Sequence, residues 1–182
     1  MQIAYTMAPG RGDIDLILHQ VAQSIMNAGH RPAGTAQINT ERADAGPCDM
    51  DVLVLPNGPR VRISQDLGRE ARGCRLDPEA LENAIGFVQA SLPESDCLIV
   101  NKFGKHEVDG RGFRPVIAEA FALGQPVLVG LNQLNAPAFF EFVGGTARRI
   151  DPRAEDIVKW LLSSIDTRRD VASRVSRTHL PV

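Results

Sequence analysis

Lysine is scarce in this sequence. Three of the twenty basic residues are lysines, Lys102, Lys105 and Lys159, and the rest are arginines. Cysteine is equally rare. Cys48, Cys74 and Cys97 are odd in number and stand in no Cys-x-x-Cys spacing, which argues against a disulfide framework or a structural zinc site. No charge of one sign dominates, because the formal net charge is −2. That balance creates no field to attract nucleic acid or an anionic membrane. No apolar run approaches the roughly 20 residues that span a bilayer, so membrane insertion is not expected. Met1 to Met7 lack the basic, apolar, small-residue order of a secretory signal, which places the protein in the cytoplasm. No internal repeat is visible.

What is present suits one globular α/β domain. The chain has 182 residues, long enough to bury a sizeable core. Gln2 to Met7 reads as a strand closed by Ala-Pro-Gly-Arg-Gly. Asp13 then reads as the N-cap of a helix whose apolar positions are Ile14, Ile17, Leu18, Val21, Ile25 and Met26, ended by Gly29. A strand is expected over Gly34–Ile38, and Met50–Leu55 with Val61–Ser64 flank Asn57-Gly58 as a hairpin. Asp77-Pro78 is an N-cap with proline at the first helical position, opening a helix to about Ala90. Cys97–Val100 and Pro126–Gly130 are short apolar runs suited to buried parallel strands. Helices are expected over Phe113–Leu123, Pro137–Phe142 and from Asp151-Pro152 to about Ile165. The division that follows is one domain over 1–166 and a polar, arginine-rich tail over 167–182, expected to be mobile. Alternating strands and helices imply three layers, with a mostly parallel sheet covered on both faces and a small hairpin insertion. A ligand site is expected beyond the carboxyl ends of the strands.

Three stretches could carry chemistry. The first is Ala8-Pro9-Gly10-Arg11-Gly12-Asp13, a glycine-rich loop between a strand and a helix. This is the plan of a P-loop NTPase, in which backbone N–H groups cradle phosphates. A working loop reads G-x-x-x-x-G-K-[ST], with lysine on the phosphates and the hydroxyl on magnesium. Here Asp13 and Asp15 stand instead, acidic groups that suit the helix dipole and repel a phosphate. The loop is therefore either a plain turn and cap or a weakened anion site using Gly10, Arg11 and Gly12.

The second stretch, Asn101-Lys102-Phe103-Gly104-Lys105-His106-Glu107, follows a buried strand that in an NTPase ends in a magnesium-holding aspartate. Asn101 is neutral. Lys102, Lys105, Arg111 and Arg114 surround it, with Glu107 and Asp109 as acidic partners. It is either a solvated charged loop or the ligand site itself. The third stretch runs from Ser64 to Asp77. Its Arg69, Arg72 and Arg75, set among glycines before a helix N-terminus, could grip an oxyanion. Cys74 among basic residues is either an ordinary loop residue or a thiol of lowered pKa with His106 as base. Cys97 is read as core, Cys48 stays undecided, and His19 and His30 are read as structural.

Ser64-Gln65-Asp66 with Arg72-Gly73-Cys74-Arg75-Leu76-Asp77, and Asn101 to Glu107 with Gly110-Arg111-Gly112, resemble the signature blocks of an uncharacterised bacterial family. This domain-of-unknown-function family is often encoded beside molybdate-transport genes. The resemblance covers about residues 2–165, and the lysine-glycine-lysine block is its most specific part. The family is similar in turn to the thermophile-type nucleoside-triphosphatases, in which the strand runs into an Asp-Glu pair and then Gly-Lys-x-Glu. Gly104, Lys105 and Glu107 match that pattern, while Asn101 and Lys102 replace the acidic pair.

The resemblance implies an accessory or regulatory protein of molybdenum homeostasis. Its ligand would be a small anion, a nucleotide or a molybdate-type oxyanion, held by Gly10, Arg11, Gly12, Ser64, Arg72, Gly73, Cys74, Arg75, Asn101, Lys102, Gly104, Lys105 and Arg111. No metal ligand is assigned. The partner classes are the small anion, a second copy of the chain or a molybdenum-pathway protein. Two other readings remain: an active nucleoside-triphosphatase using Lys102 or Lys105 with Glu107 to orient water, and an interaction module docking an acidic partner. Lys102, Lys105, Arg72 and Arg75 are expected to converge on one pocket.

Overall fold

The computed structural model describes residues 2–10, 12–41, 48–67 and 75–178. The strands are β1 (Ile3–Thr6), β2 (Pro32–Thr40), β3 (Asp49–Leu55), β4 (Arg60–Arg62), β5 (Cys97–Val100), β6 (Val127–Gly130) and β7 (Arg148–Arg149). The helices are α1 (Asp13–Asn27), α2 (Pro78–Ser91), α3 (Lys105–Val108), α4 (Arg114–Ala122), α5 (Ala136–Phe142) and α6 (Ala154–Thr178). One sheet runs in the order β4-β3-β2-β5-β6-β1-β7. Its β2-β5-β6-β1-β7 part is parallel, and β3 and β4 add an antiparallel hairpin at one side. The three apolar runs do lie side by side: Ile3 pairs with Val127 and Val127 with Leu98, while Tyr5 pairs with Val129 and Val129 with Val100.

Alternation along each central strand feeds two cores. Leu98 and Val100 of β5 pack with Leu81 and Val88 of α2, Ile117 of α4 and Phe139 of α5. Cys97 and Ile99 face the other way, onto Leu18 and Ile25 of α1 and Ile157, Leu161 and Ile165 of α6. A fully buried side chain of this size contributes about 1.5–3 kcal/mol, so this double-sided burial is what fixes the sheet. Burial also pushes the Cys97 thiol up to about 12, as suits a core residue.

The start of α2 follows the sequence closely. Asp77 Oδ1 accepts the backbone N–H groups of Glu79 and Ala80, each at 3.1 Å, and Pro78 is the first helical residue. Elsewhere the elements differ from expectation. The cap of α1 is Gly12, whose φ of 88° carries the chain into the helix, and Asp13 is already helical. β2 is longer than Gly34–Ile38 because β3 pairs with it from Gly34 to Thr40. The polar segment after β5 contains the short helix α3. The last helix passes Ile165 and continues to Thr178. Contacts favour the extension: Arg168 donates to Ser95 O at 3.1 Å and Arg169 to Asp96 Oδ1 at 2.9 Å, tying the added turns to the entrance of β5. Among the described residues no helix is long and apolar enough to cross a membrane.

Candidate functional site

At the carboxyl edge of the sheet β5 stops while β2 runs on. Their last pair is Gly34 with Ile99, which leaves the next residues of β2 with an open side. Asn101 fills it: its Oδ1 accepts the N–H of Gln37 at 3.0 Å. The chain can turn there because Gly130 lies beneath. A Cβ on Gly130 would come within 2.0 Å of Asn101 O, and Phe103 N–H donates to Gly130 O at 2.9 Å.

Asn101 also reaches across to α1, where its Nδ2 donates to Asp15 Oδ1 at 2.8 Å. Asp15 is only 1% exposed. Its Oδ2 accepts from Asn39 Nδ2 at 2.9 Å and from Lys102 Nζ at 2.9 Å. The Lys102 ammonium also lies 2.8 Å from Asp15 Oδ1 and donates to Gln37 Oε1 at 3.3 Å. A buried carboxylate requires such partners. The consequence for the expected anion grip is direct: the charge of Lys102 is already matched by Asp15.

The glycine-rich loop before α1 has an acidic group against it. A Cβ on Gly10 would lie 2.1 Å from Asp13 Oδ2, so the carboxylate of Asp13 folds over Gly10. A triphosphate drawn to the start of α1 would meet Asp13 and Asp15. The magnesium ion of a working NTPase does not fit these residues either. The two positions after Gly12 are an aspartate and the buried, apolar Ile14, and the amide of Asn101 is committed to Gln37 and Asp15. Among the described residues no cluster of three His, Cys, Asp or Glu side chains could hold a metal ion.

The α3 turn is closed by Glu107. Its Oε2 accepts the N–H of Gly104 at 2.8 Å and its Oε1 the N–H of Phe113 at 3.1 Å. Gly112 makes room with a φ of 65°, where a Cβ would stand 2.3 Å from Glu107 Oε1. Burial pushes the Glu107 carboxyl above its usual range, and the two backbone N–H groups only partly oppose it. With a backbone N–H on each oxygen, Glu107 holds the turn. His106 Nε2 lies 2.6 Å from Glu82 Oε1, which also accepts the N–H of Gly112 at 3.0 Å. Arg114 stacks over Phe142 at 4.4 Å and donates to Glu107 O.

Between this turn, the hairpin and the start of α2 lies a cavity of about 200 Å³. Met50, Val52, Ile63, Leu76, Leu81 and Phe113 supply apolar wall, and Thr35, Gln37, Asn101, Lys102, Lys105, His106 and Glu107 supply polar residues, the Glu107 carboxylate being taken up by backbone N–H groups. Lys105 is exposed, and among the described residues no carboxylate lies within ion-pair reach of it.

The residues expected to meet do so in part. Asn101, Lys102, Gly104 and Lys105 line the cavity. Arg75 does not. Its guanidinium donates to Gln65 O and Cys48 O, each at 3.1 Å, and lies 3.7 Å from Asp49 Oδ1, so it braces the hairpin. Ser64 is buried and its Oγ accepts the N–H of Met50 at 3.0 Å. Arg111 points outward, 4.0 Å from Asp109. Arg11, Arg72, Gly73 and Cys74 lie outside the described residues. Asp15, Gln37 and Asn39 were not singled out from the sequence as site residues. Asp15 carried a signal: it precedes Leu18 by three positions and Ala22 by seven, a charged residue on the buried stripe of α1.

Comparison with known proteins places these features. The family model described as "Protein of unknown function (DUF2478)" matches residues 3–160. The "Molybdenum import ATP-binding protein ModC 2" of Bradyrhizobium diazoefficiens is 30% identical over 177 residues. That match takes in 97% of this chain but only 19% of the relative's length. Two solved structures share the fold. The solution structure of a human cancer-related nucleoside triphosphatase has a TM-score of 0.59 at 15% identity, covering 99% of this chain and all of that one. The crystal structure of THEP1 from Aquifex aeolicus has a TM-score of 0.61 at 18% identity, covering 88% of this chain and 99% of that one. The architecture is therefore P-loop-NTPase-like.

Proposed function

The chain belongs to the DUF2478 family, and on that footing we propose that it is a small-anion-binding domain serving molybdenum handling, without nucleotide hydrolysis of its own. One observation carries the reading. Among the described residues Asp13 lies against Gly10 of the loop and Asp15 neutralises Lys102, so neither offers the free positive charge that a hydrolase concentrates there. Among the described residues, the cation at the mouth of the neighbouring cavity that has no carboxylate partner is Lys105. A nucleotide and a molybdate-type oxyanion are the two ligand classes supported, the first by the architecture and both by the printed name of the relative from Bradyrhizobium.

Phosphate release from ATP and GTP in the presence of magnesium tests the reading. The expected turnover is far below the roughly 1 per second of a competent enzyme. Turnover near that rate, lost in Lys105→Ala, would restore the triphosphatase reading. Thermal denaturation with nucleotides, molybdate and tungstate tests the binding half, since a ligand bound only by the folded state raises its stability.

A further inference from the structure

The cavity beside α3 offers more than a place for a bare ion. Its volume is about 200 Å³, and an apolar cavity of about 150 Å³ is enough to hold benzene. Val52, Ile63, Leu81 and Phe113 are buried hydrophobic residues of its wall. An inorganic dianion pressed against them would give up its water for few donors. The positive charge at the mouth is also limited. Lys102 is matched by Asp15, which leaves Lys105 as the cation without a carboxylate partner among the described residues.

We infer that the ligand is an organic anion of one ring, with the ring filling this cavity and a single anionic group meeting Lys105. The inference rests on the anion-binding reading above and narrows it to a class. Aryl carboxylates have this chemistry, whereas a pyrimidine nucleoside monophosphate adds a ribose ring and a polar base. The apolar wall favours the hydrocarbon ring, because a nucleobase would leave edge donors and acceptors poorly paired.

The probes are benzoate, cytidine monophosphate, molybdate and sulfate, added to the whole chain. Benzoate is expected to raise the melting temperature in a concentration-dependent way, and molybdate and sulfate to leave it unchanged. Lys105→Ala is expected to weaken benzoate binding by on the order of tenfold, the loss of one charge-assisted contact. Leu76→Trp, which fills the cavity, is expected to abolish it. A second readout needs no variant: on titration with benzoate the methyl resonance of Met50, in the cavity wall, moves, and that of Met26, packed on the opposite core, does not. Cytidine monophosphate binding more tightly than benzoate, with the same dependence on Lys105 and the same Met50 shift, overturns the one-ring inference and leaves the nucleotide form of the anion-binding reading standing. If the ring-bearing probes have no effect while molybdate stabilises the protein through Lys105, the anion-binding reading stands and the ring inference falls. If no anion acts, both fall. Stabilisation by benzoate with Met50 unmoved places the ring elsewhere and overturns the inference.

Discussion

Two buried carboxylates near the cavity behave in opposite ways, Glu107 in its lining and Asp51 on the reverse face of the strand that supplies its hairpin wall. On the hairpin side Asp51 sits between the lining residues Met50 and Val52. Burial alone would raise its pKa, but Arg62 and Arg60 outweigh that by hydrogen bonds and charge and hold it below the usual value of 3.8. Arg62 Nε donates to Asp51 Oδ1 at 2.5 Å and Arg60 to Oδ2. On the α3 side burial wins over the N–H groups of Gly104 and Phe113, and Glu107 stands above 4.5. The comparison separates two ways of burying a carboxylate. Half-exposed guanidinium groups bring full positive charge to Asp51 while staying in water. Backbone N–H groups satisfy the geometry of Glu107 without bringing a charge.

Truncation should divide the two carboxylates most. Glu107→Ala leaves the N–H groups of Gly104 and Phe113 without their acceptor, the second of them buried, and should cost about 2–4 kcal/mol. Asp51→Ala removes one acceptor from two arginines whose side chains are 50% and 53% exposed, while Arg62 keeps Asp49 and Arg60 keeps Thr40, so about 1–2 kcal/mol is expected. Urea denaturation of both variants checks the order, and a larger loss at Asp51 would break the comparison.

The acid profile sharpens it. Asp51 has a lowered folded pKa, so its stabilisation is present above 3.8 and is lost as pH falls through the folded value. Glu107 has a raised one, so its contribution is full below 4.5 and is lost as pH rises through the folded value. The advantage of the wild type over Asp51→Asn should therefore shrink on acidification, and its advantage over Glu107→Gln should shrink as pH rises above 4.5. Parallel curves for the two variants would contradict this assignment.

The smallest expected effect is at Lys105, which is exposed and unpaired among the described residues. Lys105→Ala should stay within about 0.5 kcal/mol of the wild type in melting experiments without ligand. A larger loss would mean that Lys105 supports the turn and is no free cation.

Much of the scaffold was legible because short-range rules governed it. The apolar runs at Ile3–Tyr5, Leu98–Val100 and Val127–Val129 could be satisfied only by burial on both faces. Asn57-Gly58 marked the hairpin, and Asp77-Pro78 marked a helix start by local hydrogen bonding. The limits of α6 were less legible, since Arg168 and Arg169 read as a solvated tail until Ser95 and Asp96 are placed beside them. The site was legible as a location more than as a mechanism. Asn101 to Glu107 announced themselves through the scarcity of lysine and the end of a buried strand. Which charge pairs with which is decided by tertiary placement. Nothing local to Lys102 names Asp15, and nothing local to Arg75 says that it turns to Cys48 and Asp49 instead of the cavity.

The pairing of Asp15 with Lys102 also governs how this domain can change. The usual arrangement of an NTPase, cation on the helix and acid on the strand, stands here with its signs exchanged. Putting a lysine back at Asp13 alone would seat a cation near Lys102 while Asp15 still occupied the edge. Replacing Asp15 alone would leave Asn39, Asn101 and Lys102 without their shared acceptor. Each single step is unfavourable, and only a concerted exchange on both elements restores a coherent site, so the substitutions are strongly non-additive. The Asp15–Lys102 pair therefore couples α1 to the segment after β5, so that a substitution on one element is felt on the other.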